Sequence, residues 1–443
     1  MWQSMFLSGL KPSDKLTGLI LSALMVYILA GISIAPFHAD EADHLFKSQD
    51  YVAYFVLLDP FRLRVDPPVE INSESHIRLL TGTTSAYFTG FFLWHTGVRK
   101  WPSAWYYPDS VSENRLAGRW PESSILNRGR AVSGILTALS VILIHRLGTK
   151  IGEHIQPSSS GGWLSALLFA LHPVILLNGR RVMQEGALMF FTLLLVWLGI
   201  RTAENPSRKN GLFLGVGIGL AFASKPTTLF AILGVTIGVV VCNHFHWKNA
   251  APLGLCIFAA GLGYLMLTPA IWGNPPARLI LAAQLRQEVL EGQATSSGDA
   301  YTNWTQRWSA LLVQPYPDKI QYYESPDFAR DSQIQAQIKN YEQSPWRGIG
   351  IPAWIGMGCA LVGLIRLLPP GDKNARIQPR ARVIFLCWGI ATAFGLGLSV
   401  PLGWQRYYLS WTLICVLLAG LGLDFLRQSV HPIWRSVSGM FHA

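Results

Sequence analysis

Ten stretches of this chain come close to the ~20 consecutive apolar residues that a helix needs to cross a hydrocarbon core about 30 Å thick. They lie at 16–35, 129–147, 161–177, 187–200, 212–224, 227–242, 250–271, 349–368, 383–400 and 407–423. Inside lipid every backbone polar group must find its partner within the protein, and at this segment length only helices achieve that. The expected fold class is therefore an all-α polytopic membrane protein of about ten transmembrane helices. Composition agrees: 50% of the residues are hydrophobic and only 14% charged, against roughly 25% charged in a soluble domain. A net charge of +11 invites a nucleic-acid reading, but the basic residues form no nucleic-acid module and no basic helix with interleaved aromatics. Cys242, Cys256, Cys359, Cys387 and Cys415 all sit in or beside apolar blocks without a CxxC pair, which argues against a disulfide framework or a zinc site.

The distribution of Lys and Arg sets the expected orientation, because basic residues concentrate in cytoplasmic connections. With a cytoplasmic amino terminus, that face carries 15 basic residues, Lys11, Lys248, Lys373 and Arg376 among them, against five acidic ones. The two long loops on the opposite side, 36–127 and 272–345, hold 14 basic and 19 acidic residues. Seven cations (Arg128, Arg130, Arg180, Arg181, Lys225, Arg347 and Arg406) then fall at outer membrane boundaries with Glu185, where the positive-inside tendency does not put them. The first span has a basic flank but no cleavage-like A-x-A site, so it is expected to remain as a helix.

Two segments of the first long loop read as helices lying in the membrane interface. The stretch His76 to His95 is apolar but interrupted by Arg78, Thr81, Thr83, Thr84, Ser85 and Thr89, with Ile77, Leu80, Tyr87, Phe91 and Trp94 at helical steps. Counting it as a span would turn the loop with Arg366, Arg380 and Arg382 outward. The run DHLFKSQDYVAYFVLL is the second, with Leu45, Val52, Phe55 and Val56 facing lipid or protein.

Chemistry is concentrated at the outer boundary. PFHADEADH places Asp40, Glu41 and Asp43 beside His38 and His44, and carboxylates crowded at a low-dielectric edge couple their titrations and suit proton abstraction from a hydroxyl. The same run also reads as a solvated acidic loop. NGRRVMQEG puts Arg180 and Arg181 just before Glu185; arginine forks suit phosphate, and snorkelling to headgroups is the competing reading. Lys225 stands at the Lys-Pro break of an apolar run, and Arg406 opens the last span within an aromatic belt formed by Trp404, Tyr407, Tyr408 and Trp411. Acids from one loop and cations from several other places make a site for a lipid-linked phosphate.

In order and spacing these motifs resemble the membrane glycosyltransferases of the GT-C fold that use polyprenyl-phosphate sugars: protein O-mannosyltransferases, lipid A aminoarabinose transferases and bacterial phospholipid-carrier-dependent enzymes. The resemblance covers residues 15 to 275, through HADEADH, HIRLLTGTTSAYFTGFF, GGWLSALLFALHPVILLNGRRVMQEGALMFF, LFLGVGIGLAFASKPTTLF and LTPAIWGNP, with a weaker echo in WQRYYLSWTLICVLLAGLG. It implies a GT-C-like transmembrane module at 1–275, a large outer loop at 272–345 and carboxy-terminal transmembrane helices at 346–443. It implies a polyprenyl-phosphate-linked sugar as donor and a protein, lipid or glycan hydroxyl as acceptor, joined on the extracytoplasmic face of the inner or plasma membrane. Asp40 matches the general base and Glu41 its support. Arg180, Arg181, Lys225 and Arg78 match positions near the donor phosphate, and Asp43, Glu185, His44 and Arg406 are supporting or acceptor-binding candidates. Thr81 to Thr84 stand where the family has a Pro-Pro pair. No cofactor is required; the acidic cluster could hold a divalent ion, but its spacing demands none. The readings from other classes are a transporter, which predicts internal repeats and mid-membrane charges, and a non-catalytic scaffold binding a lipid or a partner.

Overall fold

The computed structural model describes residues 12–153, 159–243, 250–296, 298–368 and 380–440; Lys11, Lys248, Lys373 and Arg376 of the basic count lie outside them. The regular structure of the described residues is helical, and the one pairing of β type among them is an isolated bridge between Ala300 and Leu402. In chain order, α1 is Pro12–Ala30, α2 Ala39–Lys47, α3 Glu74–Leu80, α4 Thr83–His95, α5 Val111–Leu116 and α6 Ser123–Gly152. There follow α7 Gly161–Leu171, α8 Pro173–Arg180, α9 Glu185–Glu204, α10 Arg208–Ser224, α11 Leu229–Cys242, α12 Ala250–Leu267 and α13 Pro275–Ser296. The last are α14 Trp304–Val313, α15 Pro326–Arg330, α16 Ser332–Gln343, α17 Ala353–Leu367, α18 Arg380–Ser399 and α19 Leu409–Met440.

The ten apolar stretches fall mainly on helices, 161–177 on two of them, α7 and α8. By length and composition five of the described helices can cross a membrane, or six if the bent pair α7 and α8 is one span; residues 15–30, 226–242 and 353–367 are shorter apolar helices. The bend, 60° between α7 and α8, has a local cause. Pro173 has no N–H and disfavours helical geometry in the residue before it, and His172 is extended at φ −70°, ψ 118°. Pro226 acts in the same way on Lys225, at φ −161°, ψ 130°, and the Thr228 hydroxyl lies 2.9 and 2.8 Å from the Ala221 and Lys225 carbonyl oxygens at that break.

Helix pairs α10 with α12, α17 with α19, α11 with α18 and α6 with α7 form the body of the bundle. Without a hydrophobic force between helices in lipid, close backbone approach at small residues drives such packing. On α10 a Cβ at Gly211 or Gly215 would stand 2.3 Å from the carbonyl oxygen of Pro252 or Cys256 on α12. Over the bundle lies a second layer made jointly by the two long loops, whose core joins Phe37, Leu45, Leu93 and Trp105 to Tyr322, Ile334 and Tyr341.

The two expected interfacial helices are each broken. His76 to His95 forms α3 and α4, separated at Thr81 and Gly82, and Tyr87 is buried rather than lipid-facing, whereas Phe91 is exposed. The break exists because Gly82 lies against the end of α10: a Cβ there would meet the Ser224 carbonyl oxygen at 1.8 Å. Gly82→Ala is expected to destabilise the protein by roughly 1–3 kcal/mol, as overpacking does, read as a lower melting temperature in detergent. In the other segment α2 ends at Lys47 and is followed by a π-type turn at Val52–Val56, leaving Leu45 buried and Phe55 and Val56 exposed.

Candidate functional site

α2 begins at the site because of its own sequence. His38 is the N-cap, its Nδ1 accepting from Asp40 N at 3.2 Å, while the Glu41 carboxylate accepts from His38 N at 3.1 Å. This reciprocal cap fixes Asp40 and Asp43 on the face of α2 that looks into a cavity of about 620 Å3. The other walls come from far along the chain: Tyr107 from the first loop, Glu185 and Lys225 from the breaks before α9 and after α10, Arg286 from α13, Glu324 from the second loop and Arg406 from the turn before α19.

The charges in this cavity pair in two groups. Arg406 bonds Asp40 through Nη1, and its Nε is 3.1 Å from Glu324 Oε1; His38 Nε2 is 2.5 Å from Glu324 Oε2. Lys225 Nζ donates to Glu185 Oε1 at 2.7 Å, leaving Glu185 Oε2, buried at the cavity wall, without a hydrogen-bond partner among the described residues. Burial pushes the Asp40 carboxyl up, but Arg406 and His38 outweigh it and hold the group well below the usual carboxylate range. Glu324 is likewise raised by burial and brought down to about 2 by Arg406 and His38. Asp43 behaves oppositely: burial and the charge of Asp40 raise it to about 8. Burial takes His44 down to about 4, so its imidazole is neutral at pH 7, with Nδ1 unpartnered among the described residues.

Asp40, Asp43, His44, Glu185, Lys225 and Arg406 thus share one cavity. The remaining sequence candidates, Arg180, Arg181, Arg78 and Glu41, do not line this cavity. Arg180, fully buried, donates to the carbonyl oxygens of Ile28 at 2.8 Å and Tyr27 at 2.9 Å and also bonds the Trp346 carbonyl, tying α8 to α1 and to the second loop. Arg181 donates to Pro36 O at 3.1 Å and Tyr322 O at 2.7 Å. The 60° bend at Pro173 turns both side chains inward, where backbone carbonyls engage them. Arg78 is bidentate on Asp50, with Nη2 2.8 Å from Oδ1, and also pairs with Glu74. Glu41 is not at the cavity surface; it is 0% exposed and held by Arg130 at 2.7 and 2.6 Å and by Val182 N at 2.9 Å.

Tyr107, Arg286 and Glu324 are cavity residues that sequence reasoning did not single out. For Arg286 and Glu324 the one signal is the length of the second loop, 272–345, too long for an idle connection; Tyr107 carries none. Among the described residues no group of three or more His, Cys, Asp or Glu side chains is arranged to hold a metal ion.

Residues 126–272, about a third of the chain, match the family model described as dolichyl-phosphate-mannose-protein mannosyltransferase. No curated protein matches the chain. Among solved structures, the chain is similar to the S. cerevisiae protein O-mannosyltransferase Pmt1-Pmt2 complex bound to the sugar donor, at 17% identity and a TM-score of 0.36. That likeness covers 63% of this chain and 34% of the other, and it is too distant to carry any argument.

Proposed function

We propose that this chain is an integral membrane glycosyltransferase that moves a sugar from a polyprenyl-phosphate donor, mannose being the first to test, to an acceptor hydroxyl on the extracytoplasmic face. The family match at 126–272 supports the reaction class. The observation that carries the reading is the meeting of Asp40, Lys225, Arg286 and Arg406, from four separate stretches of chain, in one cavity.

In this mechanism the acceptor O–H gives its proton to Asp40, the freed oxygen bonds the anomeric carbon, and the bond from that carbon to the phosphate oxygen breaks with its electron pair left on the phosphate. Lys225, Arg286 and Arg406 stabilise that leaving group, the electrostatic work that lowers such barriers most. Arg406 has a double role. Before donor binding it neutralises Asp40, and a phosphate that competes for its guanidinium leaves Asp40 more basic. Glu185 Oε2, unpartnered among the described residues, offers an acceptor for a sugar hydroxyl. Acceptor proteins are the first class to try, since the matching family acts on protein.

The test is transfer of radiolabelled mannose from dolichyl-phosphate-mannose by the purified protein in liposomes; absence of transfer with this donor and with other polyprenyl-phosphate sugars sinks the reading. Arg286→Gln is expected to lower kcat/KM for the donor about tenfold, with the loss appearing in kcat, the scale of one charge-assisted hydrogen bond to phosphate.

A further inference from the structure

Two carboxylates meet one hydroxyl at the mouth of the cavity. Tyr107 Oη lies 2.8 Å from Asp40 Oδ1 and 2.8 Å from Asp43 Oδ2. Both are hydrogen-bond distances, yet a phenol has a single proton to donate. The two contacts therefore need a second proton, and the surroundings decide which carboxyl holds it.

Asp40 has a cation: its other oxygen bonds Arg406. Asp43 is 7% exposed and makes no ion pair among the described residues; its Oδ1 accepts from Trp105 N at 2.9 Å. The groups facing Asp43 are Asp40 on its own helix and Tyr107 and the Trp105 N–H from the loop; His38, Glu324 and Arg406 stand beyond Asp40 and are engaged there. An anionic Asp43 would place an unpaired charge in a buried site beside a second carboxylate, which favours the neutral form.

We propose that Asp43 is a neutral carboxylic acid that donates through Oδ2 to Tyr107 Oη, so that Tyr107 donates to Asp40 Oδ1 and fixes the orientation of the base. Asp43 and Tyr107 are then positioning residues, and this role rests on the reading of Asp40 as the base. The direction of the Asp43 shift, upward to about 8 by burial and then by Asp40, agrees with the proton count. The loop that delivers Tyr107 is built to hold it still. Asn114, fully buried, accepts from Tyr106 N at 3.0 Å and donates to the Tyr106 carbonyl oxygen at 2.9 Å.

The sign of the pH dependence follows. Below about 8 Asp43 keeps its proton and the chain of bonds points to Asp40; above it two carboxylates compete for the single phenolic proton, and transfer falls as pH rises. Asp43→Asn, which presents a donor and an acceptor at every pH, is expected to lose this alkaline limb. Tyr107→Phe, which cuts the chain, is expected to lower kcat about tenfold with little effect on donor KM, the size of a lost orienting hydrogen bond.

A measurement independent of sugar transfer is pH-difference infrared spectroscopy of the whole protein in detergent. The expected result is a protonated-carboxyl carbonyl band present at pH 7 that bleaches as pH passes about 8, vanishes in Asp43→Asn and shifts in frequency in Tyr107→Phe. A band absent from the wild type, retained in Asp43→Asn, or indifferent to Tyr107→Phe overturns the proposal. If the band behaves as expected but no polyprenyl-phosphate sugar is used, the proton assignment stands and the glycosyltransferase reading falls.

Discussion

Replacing Asp40 with Asn is expected to lower sugar transfer by ~10²–10⁴-fold, the contribution of a positioned general base, and to leave the protein folded. The amide keeps an oxygen for the Tyr107 hydroxyl, and Arg406 keeps Glu324 as its second carboxylate. The loss therefore appears in kcat rather than in melting temperature. Initial rates with dolichyl-phosphate-mannose as donor, taken beside a thermal melt of the same preparation, separate the two. Transfer by Asp40→Asn at close to the wild-type rate would remove Asp40 from the reaction. A scaffold reading of the fold predicts no transfer by either protein.

Its neighbour Glu41 gives the opposite expected result. Glu41→Gln destabilises the protein by roughly 3–5 kcal/mol, the cost of leaving one member of a buried ion pair without its partner, and a large share of the ~5–15 kcal/mol that holds a typical domain together. The Arg130 guanidinium, 2% exposed, loses two charged bonds, at 2.7 and 2.6 Å. Arg130→Met is expected to do the same from the other side, and the double variant Glu41→Leu with Arg130→Met to lose less than the sum of the single effects. Burial pushes the Glu41 carboxyl up, but Arg130 more than reverses this and holds it below 4.5. Its stabilisation is therefore complete at pH above 4.5 and is lost as pH falls through the depressed folded value. Melts of the wild type and Glu41→Gln converge in that acid range; a constant gap between them down to the most acid pH would contradict the role of the pair.

That adjacent acids have such different fates explains how much of the site was legible in the sequence. Residue type and proximity to a span edge marked Asp40, Glu185, Lys225 and Arg406, because an ionisable group at that depth needs a reason to be there. The same logic named Arg180 and Arg181, and the family resemblance Arg78; these are engaged by carbonyls and carboxylates of other segments. What distinguishes the two sets is the direction in which each side chain leaves its helix, set by the bend at Pro173 and the break at Gly82. Neither angle is encoded in composition or periodicity. The helices themselves were legible for a simpler reason: each apolar block is continuous, and in lipid a continuous apolar block has one stable backbone form. Tyr107, Arg286 and Glu324 were invisible because long polar loops carry many such residues and only tertiary contact selects among them.

Asp40 and Arg406 are 366 positions apart in the chain. On a ribosome the carboxylate emerges long before its guanidinium, so the pocket has no complete set of charges until the turn before α19 has been made. A product that stops before Arg406 keeps the acid without the cation.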